Sequence, residues 1–201
     1  LGRTGLSSAR YLDRKGLEVR VADTRDEPPG LAVLREQVPG ADICTGAFES
    51  SLLDGVSQVV ISPGLSLSEP LATEAAGRGL PVVGDIELFA REARAPVAAI
   101  TGTNGKSTVT TLLADVANAA HRPAIAGGNL GEPALDLLER PVPALYVLEL
   151  SSFQLETTYS LETSTAAVLN VTPDHMDRYD SVADYAAAKA RIFDRCAVAV
   201  I

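Results

Sequence analysis

The stretch V-A-A-I-T-G-T-N-G-K-S-T-V-T-T-L-L-A-D-V-A-N-A-A, Val97 to Ala120, changes its character twice. Val97 to Ile100 is a short apolar run of the kind a buried parallel strand shows. Thr101 to Thr108 is a glycine loop, and a helical pattern follows it. Val109, Leu112, Leu113, Val116, Ala117 and Ala120 recur at i, i+3, i+4, i+7, i+8 and i+11, which predicts one apolar helix face. Strand, glycine loop with Gly-Lys-Ser, then helix is the layout of a phosphate cradle. Gly102 and Gly105 let the backbone turn its N–H groups toward an anion, and the helix N-terminus adds positive potential. Lys106 can reach terminal phosphate oxygens, and the Ser107 hydroxyl can ligate Mg²⁺. The loop has the shorter form G-x-x-G-K-S, with Ile100 where the longer motif carries glycine. The plainer alternative is a glycine turn between core elements, with Lys106 solvated. The order strand, loop, helix favours a nucleoside triphosphate.

Composition bounds the rest. The chain of 201 residues is 46% hydrophobic but only 4% aromatic and lacks tryptophan, so Ala, Leu and Val must fill the core. A net charge of −9 argues against nucleic acid or an anionic membrane as the main partner. It does not argue against phosphate ligands, because a glycine loop supplies its positive potential locally. Cys44 and Cys196 are far apart, and with only two histidines they exclude an ordinary structural zinc site and a disulfide framework. A reducing, cytoplasmic setting fits. No apolar run approaches the roughly 20 residues of a membrane span.

Upstream of the loop, strands and helices alternate. Leu1-Gly2-Arg3-Thr4-Gly5-Leu6 reads as a glycine turn opening a helix, with Leu6, Ala9, Tyr11 and Leu12 on its buried side and Gly16 closing it. Leu17 to Asp23 alternates like a strand and ends on an acid. Asp23 lies 18 positions after Gly5, near the spacing at which dinucleotide folds place a ribose-binding acid; it can equally be an ordinary loop carboxylate. The strand expected before the glycine turn is missing. A helix is expected over 31–38, a strand over Val56 to Ile61, then a Ser62-Pro63-Gly64 turn. A helix over Glu69 to Arg78, a strand over Leu80 to Val83 and a helix over Ile86 to Arg94 follow. The pattern predicts an α/β protein: a small Rossmann-like doubly wound domain over residues 1–88, then a truncated P-loop ATPase-type α/β domain over 89–201.

In the second domain Gly127-Gly128-Asn129-Leu130-Gly131 forms another glycine loop, and Pro133 opens a helix to Glu139. Leu145 to Leu150 is a strand with one embedded charge, Glu149. A lone buried carboxylate needs a metal or cation beside it, or must reach solvent at the strand's end. In a phosphate-loop protein an acid at this position commonly serves Mg²⁺. Thr165 to Val171 is a strand, and T-P-D-H-M-D-R-Y past its carboxyl end carries His175, structural or ligand-facing. Ser181 to Asp184 reads as a capping box opening a helix. Val182, Tyr185, Lys189, Ile192 and Cys196 share one stripe of it, so Lys189 points along the apolar side. Either it snorkels, or it is desolvated with a lowered pKa. Cys196 to Ile201 is a last strand.

Taken together, T-G-T-N-G-K-S-T at 101–108, G-G-N-L-G at 127–131, L-E-L-S-S-F-Q-L-E at 148–156, N-V-T-P-D-H-M-D-R-Y at 170–179 and A-A-K at 187–189 resemble the muramyl ligase family. These are ATP-dependent amide ligases of peptidoglycan synthesis, and the motifs are most similar to the branch that adds D-glutamate. The resemblance spans essentially the whole chain. It implies three domains, here with the first lacking its opening strand, the central one lacking its later part and the third absent. The 201 residues alone are then expected to bind the UDP-sugar weakly without turnover. It further implies transfer of the ATP γ-phosphoryl group to the L-alanine carboxylate of UDP-N-acetylmuramoyl-L-alanine, then attack of the D-glutamate amine on the acyl phosphate. By the resemblance, Gly102, Thr103, Asn104, Gly105, Lys106, Ser107 and Thr108 hold ATP. Ser107 and Glu149 hold one Mg²⁺, and His175 helps hold a second with Lys189 carried as a carbamate. Arg3, Thr4, Asp23, Thr24 and Arg25 surround the uracil end. Gly64, Asn129, Ser151 and Gln154, with His175, line the path of the diphosphate and muramoyl group. It implies a cytoplasmic monomer acting on small molecules, without nucleic acid or membrane partner.

Three other readings compete. A folylpolyglutamate synthetase-like sibling shares the ATP loop but not S-S-F-Q-L-E. A non-ligating nucleotide module leaves His175 and Lys189 without a task. A nicotinamide dehydrogenase rests only on the Gly2/Gly5 turn and Asp23.

Overall fold

The computed structural model describes all residues from Leu1 to Ile201, and the chain divides into two compact units, Leu1–Asp85 and Ile86–Ile201. The first runs α1 (Arg3–Arg14), β1 (Arg20–Asp23), α2 (Leu31–Gln37), β2 (Asp42–Thr45), β3 (Val59–Val60), α3 (Pro70–Gly77) and β4 (Val82–Val83). Its strands form two separate parallel pairs, β1 with β2 and β3 with β4, rather than one sheet. Leu1, Ala9, Val19, Leu34 and Val38 make its core, with Leu6, Leu12 and Val21 packed against them.

The elements fall in the expected order but are shorter than expected. The strand predicted from Leu17 starts only at Arg20. Leu17 is exposed, and its N–H closes α1 by donating to the Leu12 carbonyl at 3.2 Å. The strand predicted over Val56 to Ile61 shrinks to Val59–Val60, because Val56 donates to Leu53 in the preceding 3₁₀ turn.

The second unit begins within α4 (Asp85–Ala90), which ends earlier than the expected Arg94. It continues with β5 (Val97–Thr101), α5 (Lys106–Ala119), β6 (Ala124–Gly128), α6 (Ala134–Leu137), β7 (Leu145–Glu149), α7 (Ser152–Glu156), β8 (Thr165–Val168), α8 (Val182–Ala190) and β9 (Ala199–Val200). The strands form one wholly parallel sheet in the order β6-β7-β5-β8-β9. All five residues of the central β5 are buried, as its unbroken apolar sequence requires. The order reverses about β5, so the carboxyl ends of β5, β7 and β8 open on a switch point where ligands of such sheets bind. No helix is long and apolar enough to cross a membrane.

The face of α5 corrects the sequence reading. Its inward side is Val109, Thr110, Leu113, Ala114 and Ala117, packed with Ile100, Ala124 and Val147, whereas Leu112 and Val116 are 58% and 56% exposed. Thr110 and Ala114 are small enough to bring the helix close to the sheet. That close approach outweighs the larger side chains one position away.

Glu87 of α4, buried at 4% exposure, ties α4 to the turn after α7. It accepts from the Tyr159 and Ser160 N–H groups at 2.7 and 2.8 Å, from Ser160 Oγ at 2.9 Å and from Arg91 Nε at 3.0 Å. Burial pushes its pKa up, but these donors outweigh it and hold the carboxyl below its ordinary 4.5. A depressed folded pKa contributes stability that is complete above the ordinary value and is lost as the pH falls through the folded one. Glu87→Ala strands the two N–H groups and is expected to destabilise by about 2–4 kcal/mol at neutral pH. Urea unfolding of wild type and variant should converge in strength below pH 4.5, and a constant difference across that range would exclude the carboxylate as the cause.

Candidate phosphate and metal site

Thr101 ends β5 and Lys106 begins α5, so the intervening loop lies across the carboxyl end of the central strand. Gly105 is the helix N-cap with φ +80°, a left-handed conformation that glycine adopts without cost. No side chain caps α5. The N–H groups of its first turn therefore remain available for an anion, which is what a phosphate loop needs. Lys106 folds back, its Nζ donating to the carbonyls of Gly102 and Thr103 at 2.9 Å each.

Glu149 closes β7 in register with Ile100 on one side and Gly128 on the other, and is 2% exposed. Its two oxygens are held by neutral donors: Ser107 Oγ donates to Oε2 at 2.7 Å and Asn129 Nδ2 to Oε1 at 2.6 Å. Within the chain, the groups beside this buried carboxylate are thus a hydroxyl and an amide. Ser107 and Glu149 together present hard oxygens at a helix N-terminus. This suits Mg²⁺, which takes one or two protein oxygens and leaves its other positions to phosphate and water.

The second glycine loop positions Asn129 by close approach. A Cβ on Gly128 would stand 2.5 Å from the Glu149 carbonyl oxygen, and its φ is +100°. Gly128→Ala is therefore expected to cost roughly 2–5 kcal/mol from left-handed strain and overpacking. Thermal unfolding measures it, and a loss below about 1 kcal/mol would show that the β6–β7 edge yields.

Lys189 does not snorkel. It is 1% exposed, with Nζ donating to the Gly102 carbonyl at 2.9 Å and to Thr101 Oγ1 at 3.4 Å, and lying 4.5 Å from the centroid of the Tyr185 ring. Burial, and then the Lys106 charge, lower its pKa to about 8. His175, at φ +55°, is half exposed with its ring centroid 4.8 Å from that of Phe153 and 6.0 Å from that of Tyr185. His175 and Lys189 thus meet the same tyrosine. No group of three or more His, Cys, Asp or Glu side chains is placed so as to hold a metal ion by itself.

Ser151 and Gln154 prove to be partners. Ser151 Oγ accepts from the Gln154 N–H at 3.2 Å, and Gln154 Oε1 accepts from the Ser151 N–H at 3.2 Å, a capping box that starts α7. The spacing S-x-x-Q signals it in the sequence. In the first unit Asp23 is buried, with both oxygens engaged by the Arg25 guanidinium at 2.8 and 2.7 Å. Ser62 Oγ lies 3.5 Å from where a Gly5 Cβ would be, so the start of α1 meets the end of β3. Arg3, Thr24 and Gly64 are exposed, and Thr4 is half-buried.

A parallel sheet with an uncapped helix behind a Gly-Lys-Ser loop, and a buried acid on the adjacent strand, defines a phosphate-loop α/β protein. The model of the Mur ligase middle domain matches residues 100–201, and that of the Mur ligase MurD-like N-terminal domain matches residues 1–84. The chain belongs to the Mur ligase family. It is 59% identical over 193 residues to a protein of Nitrosococcus oceani named UDP-N-acetylmuramoylalanine–D-glutamate ligase, covering 96% of this chain and 43% of the relative. A Pseudomonas aeruginosa protein of the same name is 54% identical over the same shares. The chain thus spans less than half the length of these relatives. A solved Neisseria UDP-N-acetylmuramate:L-alanyl-gamma-D-glutamyl-meso-diaminopimelate ligase shares the fold. Its TM-score is 0.58 at 19% identity, over 95% of this chain and 64% of that one.

Proposed function

We propose that this chain carries the nucleotide and UDP-sugar parts of an ATP-dependent ligase that joins D-glutamate to UDP-N-acetylmuramoyl-L-alanine in peptidoglycan precursor synthesis. The observation that carries the reading is Ser107 hydrogen-bonded to buried Glu149 at an uncapped loop-helix N-terminus, in a chain more than half identical to relatives bearing that ligase's name. A carboxylate is a poor electrophile because it would have to expel oxide. Phosphorylating the L-alanine carboxylate with ATP creates an acyl phosphate, and the D-glutamate amine then displaces phosphate.

Residues 102–108 would cradle the triphosphate, with Lys106 leaving its two carbonyls for the terminal phosphate oxygens. Ser107 and Glu149 would hold Mg²⁺, which supplies charge neutralisation at the transferring phosphoryl group. Asn129 orients the Glu149 carboxylate for that task. A neutral Lys189 amine can add CO₂ and lose a proton; the carbamate would then offer anionic oxygens that, with His175, hold a second Mg²⁺. Arg3, Thr4, Asp23, Thr24 and Arg25 would surround the uracil, Arg25 being held in place by Asp23. Gly64, Asn129, Ser151 and Gln154 would line the diphosphate and muramoyl path. A cytoplasmic monomer without nucleic-acid or membrane partners fits these small substrates.

Phosphate release from ATP by the full-length protein tests the whole reading. It is expected only with UDP-N-acetylmuramoyl-L-alanine and D-glutamate together, and not with L-glutamate or a folate acceptor. Release without any acceptor would instead identify a nucleotide switch.

A further inference from the structure

The loop between β5 and α5 is clamped by a residue to which neither the motif nor the family match gives a task. Past the end of β8 the chain no longer forms a strand, yet it continues to pair with the loop. The Leu169 N–H donates to the Thr101 carbonyl at 3.0 Å and the Thr103 N–H to the Asn170 carbonyl at 3.0 Å. From there the Asn170 side chain replaces the backbone. Its Oδ1 accepts from the Asn104 N–H at 2.9 Å and its Nδ2 donates to the Asn104 carbonyl at 3.0 Å. Beyond it the Thr103 hydroxyl accepts from the Thr172 N–H at 3.1 Å and donates to the Thr172 carbonyl at 3.2 Å.

We infer that Asn170 is a positioning residue that sets the phosphate loop before any ligand arrives. Its carboxamide acts as a spare peptide group, satisfying both polar groups of one loop residue. Aspartate lacks the donor, serine the reach, and alanine both. Holding Asn104 at both its N–H and its C=O fixes the two peptide planes that flank it, just before Gly105 turns the chain into α5. The N–H groups that follow are thereby aimed without reorganisation on binding, and the ordering cost of the loop is met during folding. Asn104 is exposed, so burial does not hold it there; these hydrogen bonds do.

The inference rests on the phosphate-loop reading, and two measurements separate them. Amide hydrogen exchange of this chain is expected to show Asn104 protected in wild type and unprotected in Asn170→Ala, with Thr103, whose N–H donates to the Asn170 main-chain carbonyl, and the β5 amides still protected. Affinity for Mg·ATP and for inorganic tripolyphosphate is expected to fall by the same factor, on the order of tenfold, the worth of one or two net hydrogen bonds. Asn170→Asp, which keeps the acceptor and loses the donor, is expected to leave Asn104 partly protected and to bind both anions less tightly than wild type. Unchanged exchange at Asn104, or loss of protection spreading through β5, would overturn the inference. So would affinities within twofold of wild type. If wild type binds neither anion, the phosphate reading fails, and the exchange result alone decides whether Asn170 holds the loop.

Discussion

Lys106→Ala is expected to lower phosphate release from ATP by the full-length protein by on the order of 10²–10³, the usual effect of removing one donor aimed at developing charge. The melting temperature should move by no more than about 3 °C. The two expectations have separate causes. In the ligand-free loop Lys106 only donates to the carbonyls of Gly102 and Thr103, and the Gly102 carbonyl has a second donor in Lys189. Removing the ammonium leaves one carbonyl to be hydrated and opens no cavity in the core. Around a triphosphate, by contrast, Lys106 would be the side-chain cation of the loop, in a chain whose net charge of −9 supplies none to spare. Arginine is not a conservative replacement, because its planar fork cannot occupy the space of a point charge between two carbonyls. Activity within tenfold of wild type would remove Lys106 from the phosphate site.

Glu149→Gln is expected to act through the metal. The substitution keeps the shape of a 2%-exposed side chain; its remaining oxygen can still accept from Ser107, and Asn129 can turn its amide so that its Oδ1 accepts from the new Nε2 donor. The fold should therefore survive. What it loses is the negative charge that makes the position a Mg²⁺ ligand. The Mg²⁺ concentration for half-maximal phosphate release is expected to rise at least tenfold, roughly the scale seen when groups supporting a metal site are changed. Saturating Mg²⁺ should restore part of the rate. Glu149→Ala differs: it leaves the Ser107 hydroxyl and the Asn129 amide without their acceptor and should also destabilise by about 1–3 kcal/mol. A Gln variant with unaltered Mg²⁺ dependence would mean that Glu149 only orients Ser107 and Asn129.

Several features of the site were legible because they are local. The Gly-Lys-Ser loop sits between an apolar run and a helical period, and each of the three parts is written in neighbouring residues. The capping box of Ser151 and Gln154 is equally local, although in the sequence these residues were placed only through the family resemblance. Features decided by distant residues were not legible. Asn170 reads as a polar residue ending a strand, and its partner lies 66 positions away. Val109, Leu113 and Ala117 of the expected α5 face point inward, but Leu112 and Val116 do not, because apolar residues spread over more than half of this helix's circumference. Sequence period then discriminates poorly, and the sheet selects the side with the smallest residues.

The sequence by itself determined the alternation of strands and helices, the phosphate loop, and the need of Glu149 for a partner. The tertiary structure placed Ser107 and Asn129 against Glu149. It buried Lys189 instead of letting it snorkel, and it brought β5, β7 and β8 to one edge. The division has a physical cause. Backbone period and turn chemistry are set within a few residues, whereas a buried charge is stabilised by whatever groups the fold places beside it. For Glu149 and Lys189 those include Ser107, Asn129 and the Gly102 carbonyl, all remote in the chain.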